Sequence, residues 1–164
     1  MSRRHKPFAV VFDCMVFLQA VANEESVAAQ AVDLMETGEV QLFVSVETLK
    51  EIRDVLNRPK IRARFRTITD TRVEGLFQRL DLRAIFVPNV PQAFEYARDP
   101  KDEPYINLAV AVGADYIVSR DNDLLDLMTG HSLECKEFRQ RFRSLRVIEP
   151  LDLLEQIKVS KEAK

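Results

Sequence analysis

Phe8-Ala9-Val10-Val11-Phe12, followed at once by Asp13, is the stretch of sequence that decides the fold. A run of five apolar residues between Pro7 and an acid is typical of a β-strand that is covered on both faces. Four later segments are also short and rich in β-forming residues, and long helical patterns separate them: 40–44, 84–87, 115–118 and 145–148. This alternation predicts an α/β fold, in which helices cover both faces of a parallel sheet.

The segments between these strands predict helices at 20–37, 46–56, 69–83, 103–112, 121–128 and 150–158, with a shorter helix near 136–143. Capping residues support two of these helices: Ser45 precedes the second, and Asp102 precedes the fourth, which Gly113 closes. The 164 residues contain no internal repeat and no low-complexity linker. We therefore expect a single domain over residues 1–164, with a core at about 8–158 and short flexible ends.

Composition excludes several classes of site. The four glycines are isolated, so the chain has neither a dinucleotide-binding GxGxxG turn nor a phosphate-binding P-loop. The two histidines and two cysteines lie too far apart in sequence to form a familiar zinc motif, and so sparse a cysteine content fits a reducing cytosol. With a formal net charge of −2, any nucleic-acid site requires local segregation of charge.

The N-terminal residues superficially resemble an export signal. Basic residues at positions 3–6 precede the mostly apolar stretch 8–22. Asp13 interrupts that stretch, and a carboxylate there costs about 2.5–3.5 kcal/mol on membrane-insertion scales. We therefore expect a cytoplasmic protein without a membrane segment.

Several acids follow the predicted strands. Asp13 comes directly after the first strand, Asp121 and Asp123 follow the fourth, and Asp102 precedes the helix that leads into the fourth. In open parallel sheets, ligands bind beyond the carboxyl ends of the strands. The sequence therefore predicts that these acids collect at one edge of the sheet.

Glu51 lies in a different part of the chain, on the predicted helix 46–56. It lies about 40° around that helix from Val55, beside the apolar stripe, so it can face the sheet edge. Taken singly, the acids have ordinary interpretations: Glu51 as a solvated residue, Asp102 as a helix cap and Asp121 as a turn residue. Asp13 is harder to explain in this way, because a carboxylate between apolar stretches is costly to bury without a cation or hydrogen-bond donors.

Five short segments of the chain resemble segments of PIN-domain nucleases. Val11-Phe12-Asp13-Cys14-Met15-Val16-Phe17 and Thr48-Leu49-Lys50-Glu51 resemble the opening strand and second helix of that family. Residues 98–105 (Arg-Asp-Pro-Lys-Asp-Glu-Pro-Tyr) and 113–125 are similar to its third and fourth acidic motifs. Residues 56–60 (Leu-Asn-Arg-Pro-Lys) are similar to a segment common in the VapC-like toxin components of toxin–antitoxin systems. The resemblance covers roughly residues 8–158.

The resemblance implies a three-layer α/β/α fold with a five-stranded parallel sheet in the order 3-2-1-4-5. It also implies that Asp13, Glu51, Asp102 and Asp121 form a catalytic acidic quartet beside the accessory acid Asp123. In the family, such a quartet holds Mg²⁺ or Mn²⁺ and cuts RNA. The expected metal ligands are Asp13, Asp102, Asp121 and Asp123, and Glu51 is expected to orient or deprotonate water. The implied partners are RNA, a cognate antitoxin and a second copy of the chain.

Elementary electrostatics supports such a site. Clustered carboxylates raise one another's pKa unless a divalent cation neutralises them, and oxygen-only ligands suit Mg²⁺ or Mn²⁺ better than Zn²⁺. The chain departs from the family at Cys14-Met15, where Thr-Asn or Ser-Asn is usual, so we expect polar support for the first acid to be absent there. A degenerate PIN domain that binds RNA or a protein without cutting is therefore the alternative.

Two phosphatase alternatives fit less well. In the aspartyl-phosphatase pattern DxDx[TV] that Asp13 would open, Met15 replaces the second acid. In the cysteine-phosphatase pattern Cys-x5-Arg that Cys14 would open, Ala20 replaces the arginine. Cys14 is therefore interpreted as a small packed residue.

Two further features of the sequence allow more than one interpretation. A basic stretch without acids either follows RNA phosphates towards the site or forms a solvated helix face: Arg58, Lys60, Arg62, Arg64 and Arg66. A second group of cations follows at Arg139, Arg141, Arg143 and Arg146. Asn107 interrupts an apolar helix face, either as a hydrogen-bonded core amide or as a neighbour of the site. Its position near Asp102 favours the second.

Overall fold

Five parallel strands form the centre of the computed structural model, which describes residues 6–163. The strands are β1 (Phe8–Phe12), β2 (Val40–Ser45), β3 (Ile85–Val87), β4 (Tyr116–Val118) and β5 (Arg146–Ile148). Their order is β3-β2-β1-β4-β5, and every neighbouring pair is parallel. Each strand begins and ends within one residue of its predicted bounds. The predicted strand order and α/β class are confirmed.

The helices within the described residues are α1 (Cys14–Ala22), α2 (Val27–Thr37), α3 (Val46–Asn57), α4 (Pro59–Arg64), α5 (Asp70–Arg83), α6 (Glu103–Val112), α7 (Asn122–Thr129), α8 (Leu133–Arg141) and α9 (Pro150–Glu162). A short 3₁₀ turn, Pro100–Asp102, leads into α6. Most of the predicted helices are present with shifted ends, and α9 runs four residues beyond its predicted end.

Two helical predictions were wrong. The single helix predicted over 20–37 is two helices, and the first of them, α1, begins six residues before the predicted start. They are separate because Asn23 takes an extended conformation and Ser26 starts α2 by accepting a hydrogen bond from the backbone N–H of Ala29. Helix α4 was not predicted. It begins at Pro59, whose fixed φ suits the first turn of a helix.

Helices cover both faces of the sheet. Val10 and Phe12 of β1 belong to an apolar cluster with residues of α1, α2, α3, α5 and α9. Val11 points to the opposite face and belongs to a second cluster with residues of α6, α7 and α8. Alternate residues of β1 are therefore buried on opposite sides, which explains why the whole strand is apolar.

The pairing of β1 with β4 positions the acidic edge. Phe12 pairs with Val118, so that the residues after the two strands, Asp13 and Ser119, are brought side by side. The backbone N–H of Asp13 continues the ladder by donating to the carbonyl of Val118 at 3.1 Å. Residues more than a hundred positions apart in sequence thus meet at the carboxyl edge of the sheet.

Within residues 6–163, no helix is both long and apolar enough to cross a membrane. Most of the basic residues in the export-signal comparison, at positions 3–5, lie outside the described residues. So do residues 1–2 and residue 164 of the predicted flexible ends.

Candidate active site

A cleft of about 550 Å³ opens at the carboxyl edge of the sheet, between α1, α3, α4 and the 3₁₀ turn. The four acids of the expected quartet all line this cleft: Asp13, Glu51, Asp102 and Asp121. Asp13 and Asp121 lie just after the strands β1 and β4, and Asp102 ends the 3₁₀ turn that leads into α6. Glu51 reaches the cleft from α3. We call this space the acidic cleft.

Four aspartates form a tight group, and all of them except Asp123 line the acidic cleft. One carboxylate oxygen from each lies within 4.8 Å of the others, and the four are Asp99, Asp102, Asp121 and Asp123. Asp99 was not among the predicted site residues. It lies three positions before Asp102 and caps the 3₁₀ turn, in which the backbone N–H of Asp102 donates to the carbonyl of Asp99 at 3.0 Å. This turn brings the two residues together. That spacing is the sequence signal that would have revealed Asp99.

Asp102 does not cap α6, so that interpretation was wrong. The 3₁₀ turn gives Asp102 helical dihedral angles, φ −82° and ψ −17°, whereas a capping residue is usually extended. Its side chain is instead buried, and its Oδ2 accepts no hydrogen bond from the part of the chain that the structure describes. Burial, followed by repulsion from the carboxylates of Asp121 and Asp99, holds the pKa of Asp102 far above its ordinary value.

Asp13 is buried as well, but both of its oxygens have partners. Oδ1 accepts from the backbone N–H of Val16 at 3.1 Å, which caps α1, and Oδ2 accepts from the hydroxyl of Ser119. Burial raises the pKa of Asp13 to about 6, although these hydrogen bonds oppose the shift. Asp13 therefore receives polar support from α1 and β4 despite the departure from the family pattern at Cys14-Met15.

Ser119 links two of the acids, a role that the sequence analysis missed. Its hydroxyl donates to Asp13 and accepts from the backbone N–H of Asp121 at 2.9 Å. Asp121 in turn caps α7 by accepting from the backbone N–H of Asp123 at 2.8 Å. The position of Ser119 directly after a strand is the signal that could have identified it.

Glu51 lies half-buried on the α3 wall, apart from the four grouped aspartates. Its Oε1 accepts from the hydroxyl of Tyr105 at 3.3 Å. Cys14 lies near the carboxylates of Asp13 and Glu51. Burial, with further contributions from the charges of these two acids, raises the pKa of its thiol. A thiol held in its protonated form is a poor nucleophile, which agrees with the interpretation of Cys14 as a packed residue.

Asp123 lies near the other grouped aspartates and also pairs with the guanidinium of Arg98. Its Oδ1 lies 2.8 Å from Nε of Arg98, which also pairs with Asp126 at 2.7 Å. The hydroxyl of Tyr96 donates to the backbone carbonyl of Asp123 at 2.6 Å. Asp123 is thus fixed on two sides, which suits a role in aligning its neighbours.

Three cations line the acidic cleft, and only one of them belongs to the predicted basic stretch. They are Lys50 on α3, Arg58 before α4 and Lys101 in the 3₁₀ turn. Arg58 pairs with Asp54 at 2.8 Å. Lys50 and Lys101 are free of ion pairs with the acids in residues 6–163. They place positive charge, unpaired within the described residues, on two different elements that line the cleft.

Arg62, in the middle of the predicted basic stretch, is bonded to its own fold. Arg62 donates to the carbonyl of Leu56 and to the side chains of Asp70 and Asn57, each at 2.8 Å. In the second group of cations, Arg139 donates to the backbone carbonyls of Leu127 in α7 and Gly130 after it, each at 2.8 Å. Arg141 donates to the carbonyl of Ala93 at 2.9 Å. These arginines stabilise their own surroundings.

Asn107 is a hydrogen-bonded core amide, so its interpretation as a neighbour of the site was wrong. Its Oδ1 accepts from the backbone N–H groups of Ala93 and Phe94 at 2.9 and 3.0 Å, and its Nδ2 donates to Gln92 at 2.9 Å. The side chain ties the loop after β3 to α6. All three of these hydrogen bonds are with residues of that loop.

The aspartate group fits a hard divalent cation. Its donor atoms are all carboxylate oxygens, which Mg²⁺ and Mn²⁺ prefer. Asp102 Oδ2, buried and without a partner among the described residues, is the atom that most needs one. A cation there would also relieve the repulsion that raises the pKa of Asp102.

Comparison with known proteins agrees with this geometry. The sequence model of the family described as PIN domain matches residues 9–123, which is more than half of the chain and includes Asp13, Glu51 and the four grouped aspartates. No protein in the curated collection matches the chain. PIN domains are generally nucleases, so an acidic group at this sheet edge has the setting of a nuclease site. The chain belongs to the PIN-domain family.

Proposed function

We propose that this chain is a ribonuclease that hydrolyses RNA phosphodiester bonds and depends on Mg²⁺ or Mn²⁺. The buried Asp102 carboxylate, unsatisfied within residues 6–163 and surrounded by three more aspartates, carries this proposal. A fold pays for such a charge cluster in stability, so its presence argues for a cation that binds there.

Each acid of the acidic cleft has a role in this proposal. Asp102 and Asp121 of the aspartate group would hold the cation, with Asp99 contributing and Asp123 aligning them. Asp13, which lines the cleft outside that group, would complete the coordination. When bound, the cation supplies acidification of water and stabilisation of the charge that develops on the phosphate. Glu51, which lines the cleft from α3 outside the aspartate group, orients the attacking water and accepts its proton.

The cations of the cleft make RNA binding compatible with a cluster of acids. Aspartates alone would repel the phosphate backbone of RNA. Lys50 and Lys101 have no acidic partner among the described residues, and they flank the aspartates from two different elements. Their charges attract the phosphates on either side of the one to be cut.

We place the ribonuclease in the cytoplasm as the toxin of a toxin–antitoxin pair. Residues 56–60 support this role through their similarity to the toxin subgroup. Its partners are then RNA, a cognate antitoxin and a second copy of the chain. Expression should arrest growth, and a small neighbouring gene should relieve the arrest when it is expressed together with the chain. If the chain does not affect growth while it cuts RNA in vitro, the toxin role is wrong and the ribonuclease remains.

A cleavage assay tests the ribonuclease proposal. Labelled single-stranded RNA is incubated with the parent, Asp102→Asn and Asp81→Asn in Mg²⁺, in Mn²⁺ and in EDTA. Asp81 is an exposed acid of α5 outside the acidic cleft, so its variant is the matched control. We expect cleavage by the parent and Asp81→Asn with either cation, and none by Asp102→Asn or in EDTA. A folded parent that binds RNA with cation but does not cut it would favour the binding-only alternative.

A further inference from the structure

A second groove, of about 520 Å³, adjoins the acidic cleft between α1 and α4. We call it the α1–α4 groove, and its relevant residues are Met15, Leu18, Gln19, Asn23, Ile61 and Phe65. Met15, Leu18 and Ile61 line both this groove and the acidic cleft. If one phosphate of an RNA strand lies over the aspartates, a neighbouring nucleotide of that strand can therefore enter the groove.

The groove combines apolar faces with free amide groups. Met15 is 38% exposed and Phe65 is half-buried, so a thioether and an aromatic ring are accessible there. The amide of Gln19 and the Nδ2 of Asn23 form no hydrogen bond with other described residues, while Asn23 Oδ1 accepts from the backbone N–H of Glu25 at 2.9 Å. Apolar walls beside free amides suit a flat ring with a polar edge, which describes a nucleobase.

The charge of helix α4, from which Arg64 lines the groove, favours nucleic acid as the occupant. Helix α4 contains three cations and no acid, and two of them, Lys60 and Arg64, are exposed and unpaired among the described residues. The guanidinium of Arg64 lies 5.2 Å from the centre of the Phe65 ring. An aromatic side chain among cations is the arrangement on which single-stranded nucleic acids stack their bases.

We propose that the α1–α4 groove holds one unpaired base of the RNA strand whose adjacent phosphate lies in the acidic cleft. This inference rests on the proposed function and deepens it, because it gives the proposed ribonuclease a contact that can distinguish one base from another. A base within a duplex is paired and stacked, so it cannot enter the groove. The chain cuts next to a base that it holds.

Photocrosslinking and kinetics test the groove together. An eight-nucleotide RNA containing one 5-bromouridine is irradiated with the parent, and the crosslinked peptide is mapped; the crosslink persists whether or not the strand is cut. We expect it at Met15 or Phe65. In cleavage assays, Phe65→Leu should raise KM about fivefold or more, because base–aromatic stacking contributes about 1–3 kcal/mol. Its kcat should change little.

Two controls make these measurements specific. Phe86→Leu removes an aromatic residue that is 50% exposed on the edge strand β3 and outside the groove, and it should leave KM unchanged. An RNA that lacks the base at the crosslinking position should be cut by the parent and Phe65→Leu with equal KM. Leucine keeps most of the apolar packing, and if Phe65→Leu still fails to fold, Gln19→Ala and the crosslink on the parent provide the same test.

The outcomes separate this inference from the ribonuclease proposal. Metal-dependent cleavage with crosslinks outside the groove, and equal KM for Phe65→Leu and Phe86→Leu, would refute the groove and leave the ribonuclease standing. Crosslinks in the groove without any cleavage would support the base contact and refute the ribonuclease. Unchanged RNA kinetics in Phe65→Leu, with a shift of a dimeric parent to a monomer, would assign the groove to a protein interface and overturn the inference.

Discussion

Asp102 is the residue at which burial and charge oppose each other most strongly. Replacing its carboxylate by an amide removes the repulsion from Asp99 and Asp121 while it keeps the shape of the side chain. We expect Asp102→Asn to raise the free energy of unfolding in EDTA by about 1–3 kcal/mol, and to lose the stabilisation that Mg²⁺ or Mn²⁺ gives the parent. Urea unfolding with and without cation measures both effects.

Asp81→Asn is the matched control for this comparison, because Asp81 is exposed on α5 and its replacement should change stability by less than about 0.5 kcal/mol. It should also keep the response to cation. If Asp102→Asn were as stable as the parent in EDTA and still gained stability from Mn²⁺, Asp102 would not belong to a cation site.

Ser119 acts on the site through Asp13 and the backbone of Asp121. Removal of its hydroxyl frees one Asp13 oxygen from its donor and leaves the Asp121 N–H without its acceptor. We expect Ser119→Ala to weaken metal affinity or activity about 10–100-fold, the usual effect of losing a group that orients metal ligands. A titration of Tm against cation concentration, in parallel with kcat, measures this loss.

Ser45 provides the control for Ser119. It is an equally buried serine at the end of β2, and its hydroxyl caps α3 without contacting the aspartates. Ser45→Ala should cost about 1 kcal/mol of stability and leave the cation midpoint unchanged. Equal cation midpoints for Ser119→Ala and the parent would contradict the positioning role of Ser119.

At the scale of elements, α4 shows that neighbouring cations on one short helix can have different tasks. Arg62 joins α4 to the end of α3 and the start of α5 through its three hydrogen bonds, whereas Lys60 is exposed on the same helix without a partner among the described residues. A basic pattern in sequence treats the two residues alike.

These two cations give a paired prediction. Arg62→Ala should lower the free energy of unfolding by about 1–3 kcal/mol, because a partly buried carbonyl and two side chains lose their donor. Lys60→Ala should leave stability unchanged, weaken RNA binding and reduce its salt slope by about 0.7, the value for one contact with a single strand. Chemical unfolding and RNA binding at several salt concentrations measure both variants. The opposite pattern would show that Arg62 is the RNA contact.

At the scale of the whole molecule, the acidic cleft makes stability depend on pH and on cation. Asp13 has a folded pKa of about 6, against 3.8 as the ordinary value, and the folded pKa of Asp102 is also raised. Between the unfolded and folded pKa values, the native state binds more protons than the unfolded state. These groups therefore stabilise the fold fully below about pH 4, and the contribution is lost as pH rises.

We expect the protein in EDTA to lose stability between pH 4 and pH 7, with Asp13 alone contributing about 3 kcal/mol at roughly 1.4 kcal/mol for each pKa unit. Saturating Mg²⁺ or Mn²⁺ should restore most of that loss at pH 7. Urea unfolding over this pH range, with the double variant Asp13→Asn, Asp102→Asn as reference, isolates these groups from others that titrate. Parallel pH curves for the parent and the double variant would contradict the prediction.

The sequence by itself determined the α/β class and all five strands to within one residue, because a strand buried on both faces is a local apolar run that can be read without its neighbours. It also pointed to the edge where Asp13 and Asp121 would meet. It failed at short features: the polar break at residues 23–26 between α1 and α2, and the six-residue helix α4.

Only the tertiary structure decided which groups face each other. The register of β1 against β4 places Ser119 beside Asp13, and the 3₁₀ turn brings Asp99 and Asp102 together. In the folded chain, Arg62 also donates to the carbonyl of Leu56 at the end of α3, and Asn107 accepts a hydrogen bond from the loop after β3. The physical reason is that hydrogen bonding and repulsion depend on distances of a few ångströms between atoms, and strand pairing sets those distances across more than a hundred residues of chain.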